Sequence, residues 1–486
     1  MKGSSRCGRV AQLGEHLLCK QGVAGSNPVT STIPLSYGID DCARAWKVFL
    51  DSLAFIPSSL DYRFLSVGGS DFAGRCRLSK VIAPDRKVVF SDEVLQNPYP
   101  TYARMHEEGP LHYLDVGSKW AVWSVIGHAE CSSIAKDPRL SAKRAQQMLL
   151  PLPISRQAEF SELARMLSLW LIFMDAPEHT RLRKLLNKGF SPAAIDGLRP
   201  QVETIVDQML SPLKSGDEID LMTVFANPFP VRIILEMLGI PQDLNEKFAD
   251  WSRAIAEFRG TPDRNVEHAR AAQDALIGLT DYFRNTVADR KRNKGTDLIS
   301  LLIDIEEEGE VLTEEELYAQ CIALLFAGHE TTRNLIGNGM YTLLQHPEET
   351  AELRDKPEII RSAVEEILRL ESPVQFTARV LKEDMEVCGQ HIPRKWTILC
   401  MLGAANRDPK QFKDPNGVNL KRLNNQHLAF SAGPHFCIGA QLARLEGQVA
   451  LLNLVQRFPK MKLVGPPPEW NPTFGLRGLK SLRVAL

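Results

Sequence analysis

The stretch Phe430–Glu446, "FSAGPHFCIGAQLARLE", sets one cysteine among glycines and then passes into a helical pattern. Gly433 and Gly439 tolerate unusual backbone angles and allow close approach of backbone to a ligand. His435 stands two residues before the sulfur of Cys437. Downstream, Ile438, Leu442, Leu445, Val449 and Leu452 fall at spacings of four and three, one apolar stripe of a helix that begins directly after the cysteine. A sulfur at a helix N-terminus feels the positive end of the dipole, which favours the thiolate.

A thiolate can serve as a nucleophile, a redox switch or a metal ligand, and a buried, inert cysteine at a helix cap is the structural alternative. Nucleophilic catalysis wants a partner base, for which His435 is the candidate. Zinc wants further Cys or His at ligand spacing, and none is near. One thiolate in a glycine-rich loop facing an apolar pocket suits the axial ligand of a haem.

The segment "LTEEELYAQCIALLFAGHETTRNLIGNGMYTLLQHP" reads as one long helix. Thr313 with Glu316 makes a capping box at its start, and Pro347 bounds its end. Cys321 to Phe326 are apolar on almost every face, so the helix is expected to cross the core. Gly328, His329, Glu330, Thr331 and Thr332 then interrupt it, although glycine there costs about 1 kcal/mol against alanine. Ala327 and Thr331, four apart, share a face. A small residue and a hydroxyl there could border a flat ligand and the molecule bound on it; a kinked core helix with a satisfied polar cluster is the alternative.

"SAVEEILRLESP" places Glu366 and Arg369 three apart on a helix that stops before Pro373. Such a pair is usually solvated and worth a few tenths of a kcal/mol. Arg379 follows in an extended segment, and Arg422 precedes the cysteine loop.

The chain has 486 residues and a formal net charge of -1, so bulk electrostatics give no case for a nucleic-acid or membrane partner. Nine scattered cysteines without a CxxC fit a reducing compartment. No apolar run reaches the ~18–20 residues of a membrane span, and the start lacks an apolar signal-peptide region. A soluble cytoplasmic protein is expected. Residues 1–85 show no sustained period, and "AQLGEHLLCKQGVAGSNPVTST" resembles a translated transfer-RNA gene. We expect an N-terminal extension there, without a catalytic role, and one domain over 86–486. That domain reads as mainly α with a small β part, its β signals at "HYLDVGSKWAVWSV", "ARVLKEDMEVCGQHIPRKWTILC" and "LRGLKSLRVAL".

Phe430, Gly433, His435, Cys437 and Gly439 match F-x-x-G-x-H-x-C-x-G, and the chain thereby resembles the cytochrome P-450 superfamily of haem-thiolate monooxygenases, soluble bacterial type. "AGHETT" resembles that family's oxygen-activating segment, Glu366-x-x-Arg369 its helix pair with Arg422 as third partner, and "MDAPEHTRLRKLLNKGFSP" its haem-propionate segment. Ser431 stands where glycine is common, and Val418 and Asn419 replace a bulky and an acidic residue before Arg422.

The resemblance implies a triangular, prism-like helical domain around a buried haem b. Cys437 would ligate the iron, and His179, Arg183, Arg379 and His435 would meet the propionates. Phe430, Gly433 and Gly439 would shape the loop. Gly328 would let the long helix approach the porphyrin, with Ala327 beside it. Thr331 would hydrogen-bond bound dioxygen, and Glu330 would relay protons to it. Glu366, Arg369 and Arg422 would be structural. Val374, Phe376 and Phe474 would wall a small apolar substrate.

No flavin or iron–sulfur region follows the last β segment. Electrons are therefore expected from a separate ferredoxin or flavodoxin with its NAD(P)H-dependent reductase, docking on a basic face near Arg181, Lys184 and Arg444 of a monomer. A peroxide-driven peroxygenase, a haem-thiolate isomerase and a non-catalytic gas sensor or carrier are the alternatives.

Overall fold

The computed structural model describes residues 91–115, 121–261, 264–307 and 309–486. The expected extension over 1–85 lies outside the described residues. Seven helices frame the site: α1 (Glu178–Gly189), α2 (Pro228–Leu238), α3 (Asn245–Gly260), α4 (Val266–Arg292), α5 (Glu314–Gln345), α6 (Ile360–Leu370) and α7 (Ala440–Arg457). Among the described residues, no helix is long and apolar enough to cross a membrane.

The long helix α5 has 32 residues, about 48 Å at the usual rise. Its capping box is reciprocal. Thr313 Oγ1 accepts from Glu316 N at 3.2 Å, and Glu316 Oε2 accepts from Thr313 N at 2.9 Å. Glu314, Glu315 and Glu316 complement the positive end of the dipole. The helix runs on through Gly328 without a break. At Gly339 an added Cβ would stand 3.1 Å from Leu451 on α7 and 3.2 Å from Ile367 on α6, so the missing side chain brings three helices together.

Helix α7 differs from the expected single stripe. It starts at Ala440, three residues past the cysteine, leaving Ile438 outside it. Leu442, Leu445 and Val449 are buried as expected, but so are Ala450, Leu451 and Leu454, while Leu452 is half-buried. A helix packed against α5, α6 and the helix Arg199–Leu210 buries most of its circumference.

The β part is a five-stranded sheet of β1 (Leu111–Asp115), β2 (Ala121–Val125), β3 (Leu140–Ser141), β4 (Thr377–Leu381) and β5 (Thr397–Cys400), in the order β1-β2-β5-β4-β3. β2 and β5 pair parallel, and the other neighbours pair antiparallel. Period-two alternation sends Ile398 and Cys400 into one apolar cluster and Leu399 into another. A smaller antiparallel sheet joins Lys462–Leu463, Arg483–Ala485 and Glu218–Asp220.

Glu366 and Arg369 on α6 are both fully buried, not solvated. Arg369 Nε and Nη2 each donate to the Glu366 carboxylate at 2.8 Å. Its remaining donors reach the carbonyls of Asn406, Pro415 and Gly417. Arg422 Nε donates to both Glu366 oxygens at 3.1 and 3.0 Å, and Asn425 Nδ2 adds a further bond at 3.1 Å. Asn419 joins through its backbone N–H at 3.0 Å, so an asparagine in place of an acid leaves this contact intact. Burial raises the carboxyl's pKa, but the bonds from Arg369 and Arg422 outweigh it and hold the value below the ordinary one. Glu366→Ala strands two guanidinium groups. We expect a loss of about 3–5 kcal/mol in chemical denaturation followed by helicity, against a near-neutral result were the pair solvated.

Candidate functional site

The cysteine loop closes on itself. Cys437 N donates to Phe430 O at 3.0 Å, and Phe436 N donates to Gly433 O at 3.0 Å across a short 3-10 turn, Gly433–His435. Gly433 has φ +70°, and a Cβ there would stand 2.9 Å from the carbonyl oxygen of Ala135. Both reasons for glycine apply. Gly439 does not need its freedom: φ is -84°, open to any residue, and a Cβ would project into open space. Ser431 occupies the left-handed region at φ +61°, which costs a non-glycine residue about 1 kcal/mol.

Phe430 is buried beneath Arg444, whose guanidinium lies 4.6 Å from the ring centroid. Arg444 donates to both oxygens of Glu365 on α6, at 2.7 and 2.8 Å, and His427 Nε2 lies 3.1 Å from the same carboxylate. Burial pushes Glu365 upward, but these partners outweigh it and bring its pKa to about 2. Glu365 thus fastens the loop to α6, a role hidden by its ordinary appearance on a helix.

Cys437 is open on one side, yet enough protein surrounds it that desolvation pushes the thiol above its ordinary pKa. The Gly439 N–H, Arg183 and Arg444 pull the other way and lose. Helix α7 begins three residues later, and the dipole effect falls off within the first turn, so the thiolate expected of Cys437 draws on a bound metal more than on the helix end. Protein alone keeps the sulfur protonated, whereas a coordinating metal deprotonates a thiol outright.

Around the loop stand the four expected propionate partners. The His179 and His435 rings lie 4.1 Å apart. Arg183 Nη1 donates to Phe436 O at 2.6 Å. Arg379 Nη1 donates to Ala378 O at 2.8 Å and Thr377 Oγ1 at 3.0 Å. Arg379 Nη2 and His179 Nε2 are buried without a partner. Sequence reasoning missed a further cation beside them, Arg144, which follows β3 in a run without periodicity, lies 4.8 Å over Phe173 and donates from Nη1 to Ala142 O at 3.0 Å and Ile172 O at 3.2 Å. Burial, with Arg379 and Arg259 nearby, lowers Arg144 to about 9, which still leaves it charged at neutral pH. Burial and this crowd of cations bring His435 to about 2, and burial and Arg183 lower His179. Both imidazoles are thus neutral donors, and the arginines carry the charge.

The middle of α5 opens between the buried Phe326 and Thr332: Ala327 is exposed and Thr331 half-buried. Thr331 Oγ1 donates to Ala327 O at 2.7 Å. Gly328 does not share this face. A Cβ there would meet Ile234 of α2 at 3.7 Å, an ordinary contact, so the glycine is turned toward a neighbouring helix. Glu330 pairs with Arg333 Nη1 at 3.1 Å, and Arg333 in turn donates to Asn227 and to Leu479 O. Arg333 was legible as an i,i+3 partner and went unread. His329 is buried, with Nδ1 3.2 Å from Ser252 Oγ on α3.

Of the expected walls, Phe376 and Phe474 meet at 4.9 Å between centroids. Phe474 is buried with Tyr102, Met105 and Leu399, so it backs the wall, while Val374 and Phe376 are half-buried. The expected docking patch is weakened. Arg181 is ion-paired to Glu316 of α5 and Arg444 to Glu365, so neither offers an uncompensated charge.

An open thiol on a loop braced by a glycine at positive φ, beside a buried arginine N–H group and a buried imidazole nitrogen that lack partners, fits a haem with two propionates. The model of the family described as Cytochrome P450 matches residues 157–477. The chain is 37% identical over 404 residues to the polyketide biosynthesis cytochrome P450 PksS of Bacillus subtilis, covering 81% of this chain and 97% of that protein. It is 38% identical over 394 residues to the cytochrome P450 monooxygenase PikC of Streptomyces venezuelae, covering 80% and 91%. Among solved structures, P450BioI in complex with hexadec-9Z-enoic acid ligated acyl carrier protein superposes with a TM-score of 0.75 at 35% identity, over 82% of this chain and 100% of that one. The chain belongs to the cytochrome P450 family, whose members bind haem b through a cysteine thiolate, and it is a cytochrome P450 monooxygenase.

Two stability measurements probe the site's surroundings. Ser431→Gly is expected to stabilise the protein by about 0.5–1 kcal/mol in chemical denaturation, by removing left-handed strain. Glu446 on α7 is 2% exposed, its Oε2 has no partner, and burial alone drives its pKa well above the carboxylate range. It is neutral when folded but ionises at its ordinary value when unfolded, so its penalty is present above that value and vanishes below it. Glu446→Gln should raise the Tm by a few degrees at neutral pH and lose that advantage below about pH 4; an equal gain at both would refute the neutral carboxyl.

Proposed function

We propose that the chain hydroxylates or epoxidises a small apolar molecule, taking two electrons from a separate ferredoxin or flavodoxin served by an NAD(P)H-dependent reductase. The observation that carries the residue assignments is the open Cys437 thiol beside the unpartnered Arg379 Nη2 and His179 Nε2. Cys437 would ligate the iron, and Arg183, Arg379 and Arg144 would hold the propionates, assisted by His179 and His435 as neutral donors. When bound, haem b supplies the redox chemistry that activates dioxygen.

Phe430 fixes the cysteine N–H through its carbonyl, Gly433 lets the loop lie on Ala135, and Gly439 leaves the ligand side bare. The exposed face of α5 at Ala327 borders dioxygen and substrate. Thr331 already donates its hydroxyl hydrogen to Ala327 O, which leaves its lone pairs to accept a hydrogen bond on the distal side. Glu330, oriented by Arg333, is the carboxylate that would take up a proton and pass it on. Val374 and Phe376 form the apolar wall. The half-buried aromatic lining, together with relatives named for polyketide biosynthesis and for an acyl-carrier-protein complex, supports an apolar, chain-like substrate.

Reduced holoprotein under carbon monoxide should give the red-shifted Soret band of thiolate ligation, and Cys437→Ala should lose it. With a surrogate ferredoxin and reductase, NADPH should be consumed in the presence of substrate. Glu330→Gln should lower turnover on the order of 100-fold while leaving the carbonyl band in place. Turnover with peroxide alone would establish a peroxygenase instead, and a normal band without any turnover would establish a carrier.

A further inference from the structure

Three arginines continue the cationic line away from the cysteine loop. Arg144, next to Arg379, also neighbours Arg259, and Arg259 neighbours Arg264. Arg259 is the penultimate residue of α3, and Arg264 lies in the connection to α4. The Arg259 guanidinium sits 4.7 Å from the ring of Phe326, the residue before Ala327, and 5.5 and 5.4 Å from Trp170 and Phe173. Arg264 lies 5.6 Å from the ring of Phe258. The end of α3 also meets the C-terminal segment, since a Cβ on Gly260 would stand 3.4 Å from Thr473. This places Arg259 against the ring that precedes the open part of α5, with the end of its helix beside the segment that carries Phe474.

Among the described residues, Arg259 makes no hydrogen bond and no ion pair, and its buried Nε has no acceptor. The Nε of Arg264 is likewise orphaned, and its Nη1 makes one long bond of 3.4 Å to Met148 O. Burial, and for Arg259 also Arg264, lowers each to about 10, so both remain charged at neutral pH. Aromatic faces attract a guanidinium but accept none of its five N–H donors in the way an oxygen does. Nor do the propionates account for them: Arg183, Arg379 and Arg144 already outnumber two carboxylates. Like charges this close, half-buried and short of acceptors, are costly unless an anion joins them. The fork of a guanidinium matches a carboxylate, and the surrounding rings match an apolar chain.

Resting on the haem-thiolate assignment above, we propose that Arg259, with Arg264 beside it, anchors a carboxylate on the substrate, so that the substrate class is an apolar chain or ring system bearing one acid group. Arg259 is then a specificity-determining residue that holds the far end of the molecule while its apolar part lies along α5 at Ala327.

The test compares octanoic, dodecanoic and hexadecanoic acids with their methyl esters, titrated into ferric holoprotein and read from the Soret spin-state shift. At least one acid should bind about tenfold or more tightly than its ester, the two differing only in the charge offered to the guanidinium. Arg259→Gln should erase that preference while leaving ester affinity unchanged, and Arg259→Lys should restore part of it. Equal binding of acid and ester at every length, no response to any acid, or a preference that survives Arg259→Gln would overturn the proposal. Recording the carbonyl spectrum of each variant first keeps the failures apart: a lost thiolate band counts against the haem assignment, whereas a normal band with no acid preference counts against Arg259 alone.

Discussion

A single buried carboxylate, Glu366, gathers the segments on which the cysteine loop depends. Two arginines, one asparagine side chain and one backbone N–H converge on it. Arg369 then carries the connection outward to the carbonyls of Asn406, Pro415 and Gly417. These carbonyls belong to irregular chain with few ladder bonds of its own, so charge-assisted bonds replace secondary structure as the means of fixing it. Breaking one member would leave the others charged and dry, which makes the arrangement cooperative. The neighbouring Glu365 does the same for the far side of the loop through Arg444 and His427. Helix α6 thus holds the loop by two adjacent acids.

On that support, the site separates charge from hydrogen bonding. Burial first, and then the neighbouring guanidinium groups, lower the pKa values of His179 and His435, while Arg144, Arg183 and Arg379 carry the positive charge. Cys437 obeys the same balance. Desolvation outweighs a nearby N–H and two arginines and raises the thiol's pKa, and a coordinating metal would reverse that balance. The distal helix works through geometry instead. Its middle carries the exposed Ala327 and the half-buried Thr331, with Glu330 tied to Arg333 alongside.

Much of this was legible in the chain. The capping box of α5, its apolar middle, the hairpin of β1 and β2 and the glycine at 433 follow from local rules that tertiary packing did not override. The grouping of His179, Arg183, Arg379 and His435 was also foreseen, but by family resemblance and not by spacing. Other residues gave no local signal. Arg144 and Arg259 look like ordinary surface arginines in sequence, and Glu365 and Glu446 like ordinary helix acids. Gly328 carried a signal that misled, because a mid-helix glycine announces a close approach without saying to what.

By itself, then, the sequence determined the fold family, the ligand cysteine as a candidate and the helix that faces it, because motif spacing and hydrophobic period are properties of neighbouring residues. Only the tertiary structure decided which charges stand without partners, which histidines are neutral and which side of α5 is open. Those are sums over groups far apart in the chain: Arg379 and His179 share a space only after β4 and α1 have packed, and desolvation exists only once the surrounding core has formed.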